Sequence, residues 1–175
     1  RGLRVTAAVS AHHLHLSEQD IGEFDTRCHV MPPLRSLTDR DALRQGVISG
    51  VIDAVCSDHQ PHGMDAKLAP FSESEPGICG LETLLSLVLK LVAETTLSLT
   101  DAIARVTTDP AQILGIEVGR LLPGAPADIC VLDPAASWQV DSAGFISRGS
   151  NTPFDGGALP GIVRAVLVAG KPVSA

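Results

Sequence analysis

The pattern of apolar and polar residues along the first two thirds of the chain predicts strands followed by helices, the order of βα units. Residues 3–9 favour a strand, and the short apolar run 51–56 is consistent with a buried strand in a parallel sheet. A helix is predicted over residues 39–45, with Thr38 placed to cap it. A complete eightfold βα barrel needs about 250 residues. We therefore expect residues 1–118 to supply only the terminal βα units of a TIM-type barrel.

Further helices are predicted before residue 118. Residues 81–93 are apolar around nearly the whole helix circumference, which predicts burial on most sides. Ser98 is placed to cap a second helix over residues 99–107. A short third helix is indicated by a capping aspartate, a proline at its first position and a closing glycine, which are Asp109, Pro110 and Gly115.

The pattern changes after residue 118. Turn residues recur about every ten positions, and short β runs lie between them at 127–132, 138–140 and 163–168. Residues 119–175 are therefore predicted to form a small all-β domain. Because the chain starts with Arg1 just before a predicted strand, we expect it to be a piece of a longer protein.

Composition narrows the class of function. The chain has 175 residues with 13 basic and 20 acidic side chains, a net charge of −7, which argues against binding to nucleic acid or to an anionic membrane. No apolar stretch approaches the roughly 18 residues of a membrane-spanning helix. The four cysteines are scattered without a C-x-x-C pair, so we expect buried structural thiols and a reducing, cytoplasmic location.

Two histidine-rich segments could carry chemistry. His12, His13 and His15 could contribute zinc ligands, or they could be hydrogen-bonded polar residues at a strand end. Asp58 and His62 follow the predicted strand 51–56, and the loops after parallel strands are where α/β active sites form. Asp58 is accordingly either a metal ligand and general base, or a carboxylate that caps a helix.

Three other polar features have simpler explanations. Glu82 falls in the first turn of a predicted helix, where the helix dipole favours a negative charge. Arg35 could bind an anion, but a salt bridge to Asp39 is the favoured interpretation. Residues 151–154 are predicted to form a structured turn in the β domain.

Eight motifs in order resemble the C-terminal half of the type I dihydroorotases, which belong to the amidohydrolase superfamily. The motifs span nearly the whole chain, and the ordered set is far more specific than any one of them. They are His12-His13-Leu14; Pro32-Pro33-Leu34-Arg35-Ser36 with Asp39-Arg40 and Ala42-Leu43; Gly50 with Ile52-Asp53; Ser57-Asp58-His59 with Pro61-His62; Pro76-Gly77-Ile78 with Gly80-Leu81-Glu82-Thr83; Asp109-Pro110-Ala111; Gly124 with Ala127-Asp128; and Asn151-Thr152-Pro153-Phe154.

The resemblance implies a zinc-dependent hydrolase of cyclic amides that interconverts N-carbamoyl-L-aspartate and dihydroorotate in pyrimidine biosynthesis. It implies a TIM-type barrel with a small β-sandwich domain. Asp58 would bind zinc and act as the general acid and base, while His62, Pro76 and Gly77 would contact the substrate. Residues 63–75 would form a loop over the site, and the His12–His13 pair would not ligate metal.

The same resemblance implies partners outside this chain. The remaining zinc ligands, including a His-x-His pair, would lie on the N-terminal half of the barrel, so the chain alone is expected to be inactive. A second copy of the protein or an aspartate transcarbamoylase would be its macromolecular partner.

Two departures from the family pattern leave alternatives open. Met31 stands where the family has a substrate-contacting asparagine, and Gln60 stands where active members commonly have alanine. Methionine offers no strong hydrogen bond to a substrate. One alternative is therefore a non-catalytic dihydroorotase-like subunit that supports an aspartate transcarbamoylase assembly. A further alternative is a related amidohydrolase such as a hydantoinase or allantoinase.

Overall fold

The computed structural model describes residue 3 and residues 5–173. Two short strands, β1 (Ala8–Ser10) and β2 (Ala54–Cys56), pair in parallel, with Ala8 opposite Ala54. Helix α1 (Leu37–Ser49) connects them, which confirms the predicted βα order. The predicted first strand over 3–9 begins only at Ala8, and its position 4 lies outside the described residues.

The second strand is shorter than predicted because its first residues close α1. Both Val51 and Ile52 donate backbone N–H groups to the carbonyl of Gly46, so they belong to the end of the helix. Gly50, at φ 76°, provides the left-handed residue that ends α1.

The start of α1 also differs from the prediction. Ser36, not Thr38, is the N-cap, because its hydroxyl accepts the Asp39 N–H while the Asp39 carboxylate accepts the Ser36 N–H. This capping box begins the helix at Leu37, and the helix continues beyond the predicted end at residue 45.

Three helices follow in the order predicted. They are α2 (Leu81–Glu94), α3 (Leu99–Ala104) and α4 (Thr108–Leu114). Ser98 caps α3 as predicted, but α3 ends well before residue 107. Asp109 is not the N-cap of α4, because the helix already includes Thr108; the Asp109 carboxylate instead accepts a bond of 2.9 Å from Arg105. Gly115 closes α4 in the left-handed region, as predicted.

The C-terminal part contains one antiparallel sheet of three strands in the described residues. Its order is β3 (Ile129–Gln139), β4 (Ala158–Val168) and β5 (Lys171–Val173). The two predicted runs 127–132 and 138–140 are therefore wrong as separate strands. They join into β3 through an irregularity at Asp133, whose Oδ1 accepts the N–H groups of Ala135 and Ala136. A second sheet, which the sandwich requires, stays a prediction.

Hydrophobic contacts join the two halves of the chain. Leu87, Val88 and Leu91 of α2 lie in the same buried cluster as Leu159 of β4. Trp138 packs against that cluster and donates its indole N–H to Ser86 Oγ at 2.9 Å. The division at residue 118 stays a prediction, and the core crosses it.

The cysteines are only partly as predicted. Cys28 and Cys79 are buried, whereas Cys56 at the end of β2 and Cys130 on β3 are exposed, so the expectation of buried thiols is wrong for two of the four. In the described part of the chain, no helix is long and apolar enough to cross a membrane.

The histidine-rich segment is a helical turn and not a strand end. Residues Ala11–Leu14 form a buried 3₁₀ turn directly after β1. His15 follows it, and its Nε2 donates to the carbonyl of Leu87 at 2.8 Å. Burial lowers the pKa of His15 to about 4, although the bond to Leu87 acts in the opposite direction.

We expect this buried histidine to make the fold sensitive to mild acid. Between about pH 6.5 and about pH 4 an unfolded His15 binds a proton that the folded one does not, so stability falls as the pH falls. Arg44 and Lys90 also oppose the charged ring, while Glu94 favours it. The loss from this residue is about 2 kcal/mol between roughly pH 7 and pH 5.

Urea unfolding of the intact protein at these two pH values tests this expectation. His15→Gln keeps a donor for the Leu87 carbonyl but cannot take up a proton. The variant should lose about 2 kcal/mol less than the wild type on acidification. An identical loss in both proteins would show that His15 does not cause the sensitivity.

Candidate active site

Asp58 lies directly beyond the carboxyl end of β2, as predicted. Its backbone adopts φ 45°, in the left-handed region that non-glycine residues rarely occupy. Strain of this kind persists where surrounding contacts hold it, and such positions are common in active sites. The Asp58 side chain is 30% exposed, so its carboxylate can meet a ligand at the strand end.

Two neighbours orient the Asp58 carboxylate. Gln60 Nε2 donates to Oδ1 at 3.1 Å, and Ser10 Oγ, at the end of β1, lies 3.3 Å from Oδ2. The side chains that follow the two parallel strands therefore meet at one point. These two contacts restrict the orientation of the carboxylate.

The Ser10 hydroxyl has one proton to donate but lies near two acceptors, His13 and Asp58. His13 Nε2 lies 3.0 Å from the Pro32 carbonyl, which can only accept, so this nitrogen is the donor. In the neutral ring Nδ1 is then an acceptor, 3.0 Å from Ser10 Oγ. The Ser10 hydroxyl can donate its proton either to His13 or to Asp58.

His12 is the buried neighbour of this carboxylate. Its side chain is 2% exposed, and Nε2 lies 4.0 Å from Asp58 Oδ2 without a hydrogen-bond partner. Burial lowers the pKa of His12 to about 4, with His13 acting in the same direction and Asp58 against it. A neutral imidazole therefore faces the carboxylate at neutral pH.

His62, Pro76 and Gly77 come together as predicted, but most of their polar groups already have partners. His62 Nε2 donates to the Pro76 carbonyl at 3.0 Å, and the Gly77 N–H donates to the carbonyl of His29 at 2.8 Å. A carbonyl has two lone pairs, so Pro76 O retains one for a ligand donor. His62 retains Nδ1.

Asn151 is the residue of this region that sequence reasoning missed. It was predicted as part of a structured turn and of the last resemblance motif, without a role in the site. The residue is 1% exposed, and its side chain bonds to residues of the loop after β2 and of the segment before α2. The N–H of His62 donates to Asn151 Oδ1 at 2.7 Å. A polar residue in a short motif does not by itself reveal distant partners.

The structure also describes three further features of the sequence analysis. Arg35 Nε lies 4.0 Å from Asp39 Oδ2, which confirms the predicted ion pair. Met31 is 62% exposed. The loop 63–75 contains two short 3₁₀ turns, and the buried Lys67 holds it by donating to the carbonyls of His29 and Glu75.

The profile of the Amidohydrolase family matches residues 2–173. The chain belongs to the amidohydrolase family. This membership confirms the predicted superfamily and agrees with the α/β fold.

Sequence similarity to curated proteins supports the predicted resemblance. The chain is 43% identical over 171 residues to a protein named "Dihydroorotase" from Syntrophus aciditrophicus, a match that covers 98% of this chain and 40% of that protein. It is 47% identical over 169 residues to a "Dihydroorotase-like protein" from Pseudomonas putida, covering 97% of this chain and 40% of that protein. The chain thus spans about 40% of the length of these relatives.

Solved structures of amidohydrolases have the same fold. An L-hydantoinase from Arthrobacter aurescens superposes with a TM-score of 0.92 at 28% identity, covering 99% of this chain and 40% of that one. A D-hydantoinase from a Thermus species superposes with a TM-score of 0.89 at 24% identity, with 98% and 40% coverage. These neighbours place the chain in a TIM-barrel-type superfamily.

Amidohydrolases generally use a metal, and one group of three metal-ligating side chains exists among the described residues. Atoms of His59, Cys79 and Glu82 all lie within 4.8 Å of one another. However, His59 Nδ1 accepts the N–H groups of Gly80 and Leu81 at 3.1 and 3.2 Å. Because Nδ1 is the acceptor, Nε2 carries the proton of the neutral ring and has no lone pair for a metal.

The His59 cluster fits a structural role better than a metal site. Glu82 Oε1 accepts the Ser147 N–H at 2.9 Å, and Cys79 Sγ donates to the Gly149 carbonyl at 3.1 Å. These two hydrogen bonds, each between a side chain and a backbone group, join the start of α2 to residues 147–149. The pKa of Glu82 lies below its usual value; burial raises it, but the bonds from Ser147, a bond from the Glu82 backbone and the nearby His59 together outweigh that effect.

Asp58 is the better fit to a zinc ligand. Its carboxylate oxygens match the preference of zinc for nitrogen, sulfur and oxygen ligands, and the side chain is reachable at the strand end. The neighbouring His12 Nε2 is buried without a partner, which indicates a place for a further polar group. Within the described residues, Asp58 belongs to no group of three metal-ligating side chains, so other ligands would have to come from elsewhere.

Proposed function

We propose that this chain is the C-terminal part of a zinc-dependent dihydroorotase, which interconverts N-carbamoyl-L-aspartate and dihydroorotate. The observation that carries the proposal is the placement of Asp58. Its carboxylate lies at the end of a parallel strand, held by Ser10 and Gln60 and exposed on one side. The dihydroorotase names of relatives at 43 and 44% identity favour this substrate among the cyclic amides.

In this proposal each residue has a separate task. Asp58 contributes one zinc ligand and accepts or returns the proton that moves between the attacking water and the leaving amide nitrogen. Bound zinc supplies a Lewis acid and lowers the pKa of water toward neutrality. His62 Nδ1 and the free lone pair of Pro76 O face the substrate, and Gly77 shapes the backbone beside them.

The packing of Gly77 supports its place in this arrangement. At φ 132° its backbone favours glycine, and a Cβ there would lie 2.5 Å from Gln60 Cβ. The Gly77 backbone therefore lies directly against Gln60, in the space that a Cβ would need. We propose that residues 1–118 form the end of the barrel, that 119–175 form part of a β-sandwich, and that the rest of the protein completes the zinc site.

The proposal is tested by purifying the intact protein and measuring its zinc content and its turnover of dihydroorotate. We expect bound zinc and hydrolysis. A panel with hydantoin and allantoin tests substrate class, and preference for either would replace dihydroorotate as the substrate. The isolated chain, given zinc, is expected to show no turnover.

Three observations favour a second function. Gln60, at the position where the family resemblance implies alanine in active members, donates its amide to Asp58 Oδ1 and so competes with other ligands of that carboxylate. This bond, the exposed Met31 and the dihydroorotase-like name of the Pseudomonas relative fit a non-catalytic subunit of an aspartate transcarbamoylase assembly. Co-purification with the transferase and a lack of zinc would favour it; two zinc ions per chain would exclude it.

Gln60→Ala should tighten zinc binding by the intact protein. Removing the amide frees Asp58 Oδ1, and a hydrogen bond worth about 1 kcal/mol corresponds to about fivefold in affinity. Competition with a chromophoric chelator measures the change. Gln112→Ala on the exposed face of α4 is the control and should leave affinity unchanged. Equal affinities for wild type and Gln60→Ala would show that the amide does not compete with the metal.

A further inference from the structure

We propose that Asn151 is a positioning residue of the candidate active site. In this proposal its buried amide holds the backbones of His62 and Gly77 at a fixed separation. The inference rests on the proposed function for its effect on the substrate, because these two loops are the ones proposed to contact it. Asn151 itself contributes from the C-terminal part of the chain and makes no hydrogen bond to Asp58.

The Asn151 side chain makes three hydrogen bonds, which use both of its donors and one acceptor lone pair. Oδ1 accepts the His62 N–H at 2.7 Å, while Nδ2 donates to the carbonyls of Gln60 and Gly77, each at 2.9 Å. With 1% of the residue exposed, water cannot replace these partners. One amide therefore bridges the loop after β2 and the segment before α2.

The chemistry of the partners requires asparagine. One partner is a donor and two are acceptors, so only an amide with a fixed orientation satisfies all three. Aspartate has the same shape but would place an oxygen against the carbonyls of Gln60 and Gly77. Buried acceptors without donors are costly, so the two loops should separate in that variant.

The backbone around Asn151 is docked independently of its side chain. The Asn151 carbonyl accepts the Cys79 N–H at 2.9 Å, and the Ser150 N–H donates to the His62 carbonyl at 3.3 Å. A Cβ on Gly149 would lie 2.5 Å from His62 N, so this approach requires glycine. These contacts hold the backbone of residues 149–151 in place, so the side-chain amide of Asn151 has a fixed position between the two loops.

These contacts predict an effect on substrate binding more than on the chemical step. His62 and Gly77 lie on the binding side of the proposed site, whereas Asp58 keeps its own bonds to Ser10 and Gln60. Asn151→Asp in the intact protein should raise KM for dihydroorotate about tenfold and change kcat less than threefold. Asn151→Ser, which keeps only a hydroxyl, should behave in the same direction.

The control is Gln139→Glu. Gln139 also donates a side-chain amide to a carbonyl, that of Gly156 at 2.9 Å, but in an exposed part of the C-terminal sheet. It should leave both constants within twofold of the wild type. An unchanged KM in both Asn151 variants, or equal losses in Gln139→Glu, would overturn the positioning role.

Amide hydrogen exchange without substrate separates this proposal from the proposed function. If the wild type shows no turnover, the dihydroorotase proposal fails, but exchange still reports on the loops. We expect faster exchange at His62 in Asn151→Ser, whose shorter side chain withdraws the acceptor of the His62 N–H, with α2 protected as in the wild type in both variants. Unchanged exchange at His62 in Asn151→Ser, or loss of protection throughout α2 in both variants, would overturn the positioning role.

Discussion

Asp58→Asn lowers turnover of dihydroorotate by the intact protein by about 10²–10⁴-fold, the range typical of a lost general acid or base. Asparagine preserves the shape of the side chain and can still accept a bond from Ser10. It cannot take up and return a proton, and its neutral oxygen is a weaker zinc ligand. Turnover and zinc content are measured on the same preparation.

Asp65→Asn is the matched control for this substitution. Asp65 is exposed in the loop 63–75, close in sequence but without a bond to Asp58 or its neighbours. It should retain nearly all turnover. If Asp58→Asn retains more than about a tenth of wild-type turnover, Asp58 is not the group that moves the proton.

Leu87→Ala destabilises the intact protein by about 2–5 kcal/mol, the usual cost of a cavity at a buried leucine. Leu87 is 2% exposed and lies in the core cluster that joins α2 to β1 and β4. Its backbone carbonyl still accepts the bond from His15, so the loss reports on side-chain packing alone. Chemical unfolding followed by circular dichroism measures the change.

Leu81→Ala, on the same helix, is its control. Leu81 is 57% exposed at the first turn of α2, so its truncation should cost less than about 0.5 kcal/mol. Equal effects of the two substitutions would mean that the face of α2 that includes Leu87 is not the packed one.

Features that depend on neighbouring residues were predictable from the sequence. The apolar pattern of α2 and the closing glycine of α4 each depend on a few adjacent positions, and both predictions are confirmed. The N-cap of α1 could also have been predicted from the sequence. Ser36 and Asp39 have the three-residue spacing of a capping box, which outweighs the intrinsic preference of Thr38.

Features that depend on distant partners were not predictable. The residues after β1 were predicted as a strand end, but they form the 3₁₀ turn Ala11–Leu14. This turn packs against α1 and α2, contacts that the local sequence does not show. Asp133 signals a turn in the sequence, yet pairing with β4 keeps the chain in one strand on both sides of it. Asn151 has partners about 90 residues away, at a separation where residue type alone carries no information.

The core that crosses residue 118 limits how this protein can be recombined with its relatives. A chimera joined at that point would place β4 of one parent against α2 of another, at the contact where Leu159 shares a cluster with Leu87 and Leu91. As relatives diverge, contacting residues of α2 and β4 would change in pairs, so that their side-chain volumes still match. The C-terminal sheet and α2 are therefore best inherited together.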